Sequence, residues 1–402
     1  MAEWAFIDHV TDHMARPRRG EEKHPTQWPS EATAIIITDD GHTKVVGKCR
    51  RAAFFRLLVA SYKFYDKYNH WKHLVEQLQR EQTEVDRYMR WIWAQGNLYE
   101  EYLIQEAQKS NVYVDDQVRI YIKSHNVSGS IDIEVINPRT HLYSIVESKS
   151  VYGFGSDFVL GSQYDRNQGR MGTPKDSNIM QILLYHWWKA SEDSAYEDSR
   201  LVYGSRDTGR YGEFLVRTVK ETDENNYTTY WGEWKWLAPY EGEWQRTKIT
   251  INSILECYKY IQQCIDTGVI PERDFNAKYS DEELVDAFMR DQLNKTDTTK
   301  MEKYLQRMDF NNWVETIPEL SDEELMSQAR NHNIDLSKAL LTRMDNWDSD
   351  SESKRATTMR HLRKVAKKKE LLPPDKGDWQ CKYCKWSNTC YTPDRDPRKV
   401  SM

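Results

Sequence analysis

The stretch SGSIDIEVINPRTHLYSIVESKS, residues 128–150, sets Asp132 in one alternating run and Glu147 and Lys149 in the next. Glu147 and Lys149 are two residues apart, so on a strand they share a face. Two carboxylates and an ammonium on adjacent strands are costly to bury unless something offsets their charge. A divalent cation does so. Mg2+ takes a few carboxylates together with water and phosphate oxygens, and an adjacent lysine can position or help deprotonate an attacking water. The rival reading is a pair of ordinary strands whose charges face solvent. Two neighbouring stretches bear on the choice. QGNLYEEYL places Glu100 and Glu101 on a predicted helix upstream, where one carboxylate could approach a cation from the side. Gln181 and Tyr185, four apart in NIMQILLYHWW, fall on one helical face, where amide and phenol could meet substrate or orient the lysine. As polar edges of a packed helix they would do neither.

Three of the six cysteines crowd into WQCKYCKWSNTC as Cys381-x2-Cys384-x5-Cys390. Disulfides are rare in a reducing compartment, so clustered thiols point to a soft metal, whose sites are usually closed by four protein ligands. Zn2+ and an iron–sulfur cluster both take thiolates, and spacing alone does not separate them. Cys257 and Cys264, seven apart on a predicted helix, read instead as buried apolar side chains.

The elements that must position these residues follow from periodicity. Residues 1–48 read as an arm with few periodic features. From 49 to about 107, apolar residues recur at three- and four-residue steps, which predicts helices. VYVDDQVRIYIKS, SGSIDIEVI and HLYSIVESKSV read as successive strands, the last two joined by a turn at Asn137-Pro138-Arg139-Thr140. A loop rich in Gly, Gln and Arg leads into the helix NIMQILLYHWWKA; strands at SRLVYGS, GEFLVRTV and NYTTYWGEWKW follow, then the helix INSILECYKYIQQCIDTG, which stops before Pro271. Residues 276–370 turn from acidic to basic and helical. YSDEELVDAFMRDQL and LSDEELMSQARNHN within them each open on a Ser-Asp cap.

Composition bounds the partners. With 57 Lys and Arg against 63 Asp and Glu, the net charge of −6 excludes blanket affinity for nucleic acid. Basic clusters at Arg16-Pro17-Arg18-Arg19, at Lys48 to Arg51 and at 360–369 are read first as solvated faces or tails. Fifteen Trp and twenty-four Tyr leave aromatic side chains available for stacking on a planar ligand. No apolar run is long enough to span a bilayer and no secretory pattern opens the chain, so a soluble, cytoplasmic protein with no membrane partner is expected.

Taken in order, Gly96-x3-Glu100, Gly129-x2-Asp132, Glu147-x-Lys149 and Gln181-x3-Tyr185 resemble the motifs of the PD-(D/E)xK nucleases, specifically their RecB-like branch, over roughly residues 96 to 185. Members usually carry His in the first helical motif, where this chain has Glu100. The resemblance implies an α/β (α+β) fold with a restriction-endonuclease-like core, a mixed central sheet flanked by helices. It also implies that Glu100, Asp132, Glu147 and the Ser148 carbonyl hold Mg2+ or Mn2+, with Lys149, Gln181 and Tyr185 completing a catalytic site for DNA hydrolysis. A subset of that branch, including the AddB nuclease domain and the CRISPR-associated exonucleases, carries a 4Fe-4S cluster held by one cysteine before the core and three after it. On that pattern the fourth ligand to Cys381, Cys384 and Cys390 is Cys49, with zinc as the alternative. Exonuclease action on DNA ends or single strands is the expected activity, with Tyr164, Arg166, Arg170 and Lys175 gripping DNA. The competing expectation is a non-catalytic DNA-binding or replication and recombination accessory protein on the same fold. The implied organisation is an arm (1–48), a nuclease core (49–275), a helical accessory segment that could receive a protein partner (276–370) and a cysteine cluster closing onto the core (371–402).

Overall fold

The computed structural model describes residues 25–39, 41–81, 87–162, 172–239, 241–289, 293, 295–316, 351–357, 360 and 376–391. The chain divides into two compact units, Met1–Phe275 with Tyr383–Met402, and Asn276–Lys382. The first unit is mixed α/β, and its centre is one large sheet. Seven strands lie side by side in chain order: β3 (Tyr113–Ile122), β4 (Val127–Ile136), β5 (Tyr143–Val151), β6 (Ser199–Ser205), β7 (Tyr211–Thr222), β8 (Thr228–Ala238) and β9 (Gln245–Thr250). In this sheet β5 and β6 pair in parallel, and the other neighbouring strands pair antiparallel. A parallel pair cannot be closed by a tight turn, and the long crossover between them carries helices α4 (Phe154–Leu160) and α5 (Asp176–Glu192).

Helices cover the sheet. The long α3 (Arg87–Lys109) packs across β3, β4 and β5, while α5 and α6 (Ile251–Thr267) pack on later strands. The main core joins Ile131 and Ile145 of the sheet to Met180, Leu183 and Tyr185 of α5 and Ile254 and Tyr258 of α6. Phe214 and Trp236 meet there with ring centroids 4.1 Å apart. A second core gathers α1 (Arg50–Tyr62), α2 (Lys72–Glu81), the inner side of α6 and Trp386, whose ring stands edge-on to Phe55 at 6.2 Å. Cys257 and Cys264 are both 3 % exposed, the apolar role their spacing predicted.

Local grammar explains where elements begin and end. The Thr250 hydroxyl accepts from Ser253 N and opens α6; Gly268, at φ +76°, closes it in the left-handed conformation that glycine takes most easily. In the turn before β5, Asn137 Oδ1 accepts from Arg139 N at 2.9 Å, the side-chain mimic of a backbone turn. In the second unit, α7 (Asp281–Met289) opens on a capping box: Glu283 N donates to Ser280 Oγ while Ser280 N donates to Glu283 Oε2 at 2.7 Å. Asp378 ties residues 276–279 to residues 376–378, accepting from Asn276 N and from the Tyr279 hydroxyl. The companion motif LSDEELMSQARNHN lies outside the described residues.

Two expectations need correction. The supposed arm contains a β-hairpin, β1 (Thr33–Ile37) with β2 (Thr43–Gly47), which packs against α6. The presumed loop after β5 opens with α4. Strand β9, QRTKIT, was not anticipated because only one of its residues is strongly apolar. Residues to Lys382 group with the second unit and residues from Tyr383 with the first. Among the described residues no helix is long and apolar enough to cross a membrane.

Candidate active site

Strands β4 and β5 are paired from Ile136↔Tyr143 to Ile133↔Val146, and the ladder stops there. The next residues on each side are Asp132 and Glu147. Beyond this point β4 continues along β3 and β5 along β6, leaving backbone groups at the fork in need of partners. The Asp132 carboxylate supplies one: its Oδ2 accepts from Ser148 N at 2.8 Å and from Ser148 Oγ at 3.2 Å. Ser148 therefore holds Asp132 in place through its amide and hydroxyl.

Glu147 is fully buried. Its Oε1 accepts from Lys149 Nζ, its Oε2 finds no donor among the described residues, and a hydrogen bond from the Glu147 side chain favours the ionised form of Asp132. Burial and the neighbouring Asp132 charge push its pKa up to about 8 against the pull of Lys149. Burial likewise raises Asp132 above the usual carboxylate range. Burial pulls the Lys149 ammonium down, but Glu147, Asp132 and Glu100 together outweigh it and hold the group above its ordinary value. Lys149 is thus a charged donor at neutral pH, which favours positioning and charge stabilisation over proton abstraction.

Glu100 enters from α3, while Glu101 faces solvent. Gln117 Nε2 donates to Glu100 Oε1, and burial with the Asp132 charge raises Glu100 to about 7. Gln117 lies within β3 yet adopts φ +50°, a left-handed conformation that a non-glycine residue holds at a cost of roughly 1 kcal/mol or more. Ser130 Oγ donates to its carbonyl at 3.0 Å and helps keep it there. Helix α3 is seated by Tyr99, whose ring fills the space above Gly204 of β6; a Cβ on Gly204 would lie 2.3 Å from that ring.

Gln181 and Tyr185 are both buried on α5, and Gln181 Nε2 lies 3.4 Å from the Tyr185 hydroxyl. Burial raises the Tyr185 phenol far above its usual range, with Glu147 and Asp132 contributing. Gly129 of β4 admits the hydroxyl, since a Cβ there would approach it to 2.7 Å. The structure thus draws Glu100, Asp132, Glu147, Ser148, Lys149 and Tyr185 into one electrostatic cluster, with Gln181 bonded to its edge. Sequence reasoning did not single out Gln117, Ser130, Tyr99 or Gly204, none of which belongs to a recognisable spacing pattern.

Lys175 is the N-cap residue of α5, and its amide donates to the Tyr203 hydroxyl at 3.2 Å. Partial desolvation and the Lys48 charge lower its pKa. Tyr164, Arg166 and Arg170 lie outside the described residues.

Of the four cysteines expected to act together, Cys49 is the N-cap residue of α1, and Cys384 and Cys390 pack against the second core. Arg51 Nη1, two residues beyond Cys49, lies 3.7 Å from Cys390 Sγ, so the start of α1 adjoins the C-terminal segment. Cys381 belongs to the second unit. Burial pushes the Cys49 thiol up to about 12. Among the described residues, no group of three or more His, Cys, Asp or Glu side chains is gathered closely enough to hold a metal ion.

No protein family, curated protein or solved structure matches this chain.

Proposed function

We propose that the fork between β4 and β5 is the active site of a divalent-cation-dependent DNA nuclease of the PD-(D/E)xK, RecB-like kind on a restriction-endonuclease-like core, acting as an exonuclease on ends or single strands. The observation that carries this reading is Glu147: a carboxyl with no exposure, one oxygen without a donor among the described residues, beside Asp132 and Glu100. Such an arrangement is unfavourable as a structural element and useful as half of a cation site. Hard carboxylate oxygens suit Mg2+ or Mn2+, which needs only one or two of them because water and phosphate oxygens complete its shell. Asp132, Glu147, the Ser148 carbonyl and, on its flank, Glu100 would hold the cation, which when bound supplies Lewis-acid stabilisation of charge on the phosphate.

The chain's own residues do the rest. Lys149, kept charged by its acidic neighbours, donates toward the attacking water and the developing oxyanion. Ser148 fixes Asp132, Gln117 steadies Glu100, and Tyr185 with Gln181 closes the cluster on the α5 side. The thiols of the C-terminal motif are soft donors of the kind that take a 4Fe-4S cluster or Zn2+, and the motif resemblance favours the cluster. That group would serve stability and enters no step of the hydrolysis.

Anaerobically purified protein is expected to release acid-soluble nucleotides from linear DNA with Mg2+ or Mn2+ and none with chelator. Salt-sensitive DNA binding without hydrolysis in any cation would instead assign the fold to a non-catalytic DNA-binding role.

A further inference from the structure

Beyond Lys149, β5 ends at Val151 and the chain turns through Tyr152 and Gly153 into α4. Three large aromatic side chains in this short stretch are left to solvent: Tyr152 at 62 %, Phe154 at 85 % and Phe158 at 48 % exposure. Phe154 and Phe158 are four apart on α4, so they lie on one face of it, opposite the Val159 and Leu160 side chains that enter the core. Single exposed apolar residues are ordinary; three large aromatic ones within seven residues, next to the proposed site, offer a ligand rings to stack on.

Cations border the group on two sides. A Cβ at Gly155 would lie 3.5 Å from Lys175 Nζ, which places that ammonium against the first turn of α4. Arg206 stands over the Tyr152 ring at 5.9 Å and donates to Gln95 Oε1 at 2.8 Å, an uncharged partner. Neither Lys175 nor Arg206 forms an ion pair among the described residues, whereas the nearby Arg210 is neutralised by Asp157 at 2.7 Å. The Asp207 carboxylate is held on the Gly153 amide at 3.0 Å, and the two unpaired cations, Lys175 and Arg206, lie at the rings; flat rings with cations beside them match a ligand with flat faces and a negative backbone. Tyr152 follows Lys149 by three residues, ~10 Å along an extended strand, which is within reach of a strand entering the proposed site.

We propose that Tyr152, Phe154 and Phe158, with Lys175 and Arg206, form a stacking platform for an unpaired nucleic-acid strand at the mouth of the β4–β5 fork. The choice of nucleic acid over a protein partner rests on the nuclease reading of that neighbouring fork and on the cationic border; the platform itself needs no cleavage to be detected.

The test is fluorescence anisotropy in EDTA with a fluorescein-labelled oligothymidylate about 20 nucleotides long, longer than a single groove's footprint. Wild type is expected to bind it more tightly than a blunt duplex of the same length. The F154A/F158A variant is expected to weaken binding about tenfold or more, within the range that loss of base stacking produces. Phe154→Trp should retain binding, and Phe154→Leu, apolar but without a ring, should weaken it. Because both phenylalanines are solvent-facing, these variants leave the core untouched. Binding by F154A/F158A equal to wild type, or no binding by wild type, overturns the proposal. Binding by Phe154→Leu equal to wild type also overturns it and reassigns the surface to an apolar protein partner. Absence of hydrolysis with these binding differences intact would strike the nuclease reading alone.

Discussion

Lys149→Ala is expected to slow cation-dependent DNA hydrolysis by about 10³-fold, the range seen when a preorganised charged donor is removed from a hydrolytic site. Among the described residues the ammonium is the only positive charge beside Glu100, Asp132 and Glu147, whose carboxyls hold its pKa above the ordinary value. Its loss removes both a donor to the attacking water and the counter-charge for the phosphate. Loss of Lys149 removes the pull that lowers the Glu147 pKa, so Glu147 takes up a proton rather than standing as a bare buried charge, and the fold is expected to survive the change. Undiminished hydrolysis by Lys149→Ala, with cooperative unfolding retained, would remove the proposed site.

Glu147→Gln is expected to make the cation-free protein more stable at pH 8, by on the order of 3 kcal/mol. The sign follows from linkage. The folded-state pKa of about 8 lies above the ordinary glutamate value of 4.5, so over that window the folded state holds a proton that the unfolded state has released. Stability of the wild type therefore falls as pH rises from about 5 to 8. The glutamine variant lacks the Glu147 part of this slope and keeps the contributions of Glu100, raised to about 7, and of Asp132, raised as well. Removing one carboxylate also relieves Asp132 and Glu100 of a like charge, in the same direction. Urea unfolding at pH 5, 6.5 and 8 reads the difference, which should vanish at the acid end. Parallel profiles would show that Glu147 is not the strained group described above. A stabilising substitution that abolishes activity is the pattern expected where function is placed above stability.

The residues of this cluster were legible in the sequence because they sit in strongly patterned elements. β4 and β5 alternate and are joined by an Asx turn, so Asp132, Glu147 and Lys149 could be set on neighbouring strands. Helix α5 is long and apolar enough to place Gln181 and Tyr185 on one face. What escaped had weak local signals and distant partners. β1 and β2 are five residues each and read as irregular until α6 covers them. α4 begins with Phe-Gly-Ser, a poor helix opening by propensity, and forms because Val159 and Leu160 enter the core. The left-handed Gln117 carries no residue-type signature, since glycine or asparagine would be expected at that φ. Gly204 and Gly129 look like strand weakeners in isolation, and their purpose shows only when Tyr99 and Tyr185 are seen filling the space. The fork where β4 and β5 part is a property of the sheet order, which no local pattern encodes.

Calorimetric titration of the protein with Mn2+ near pH 7, run in two buffers of different ionisation enthalpy, tests most directly whether a cation takes the place of the proton on Glu147. Binding is expected with release of protons from the raised carboxyls, and Glu147→Gln should lose most of the affinity and most of that release. Failure of the wild type to bind Mn2+, or equal binding and equal proton release by Glu147→Gln, would contradict a cation site at the fork.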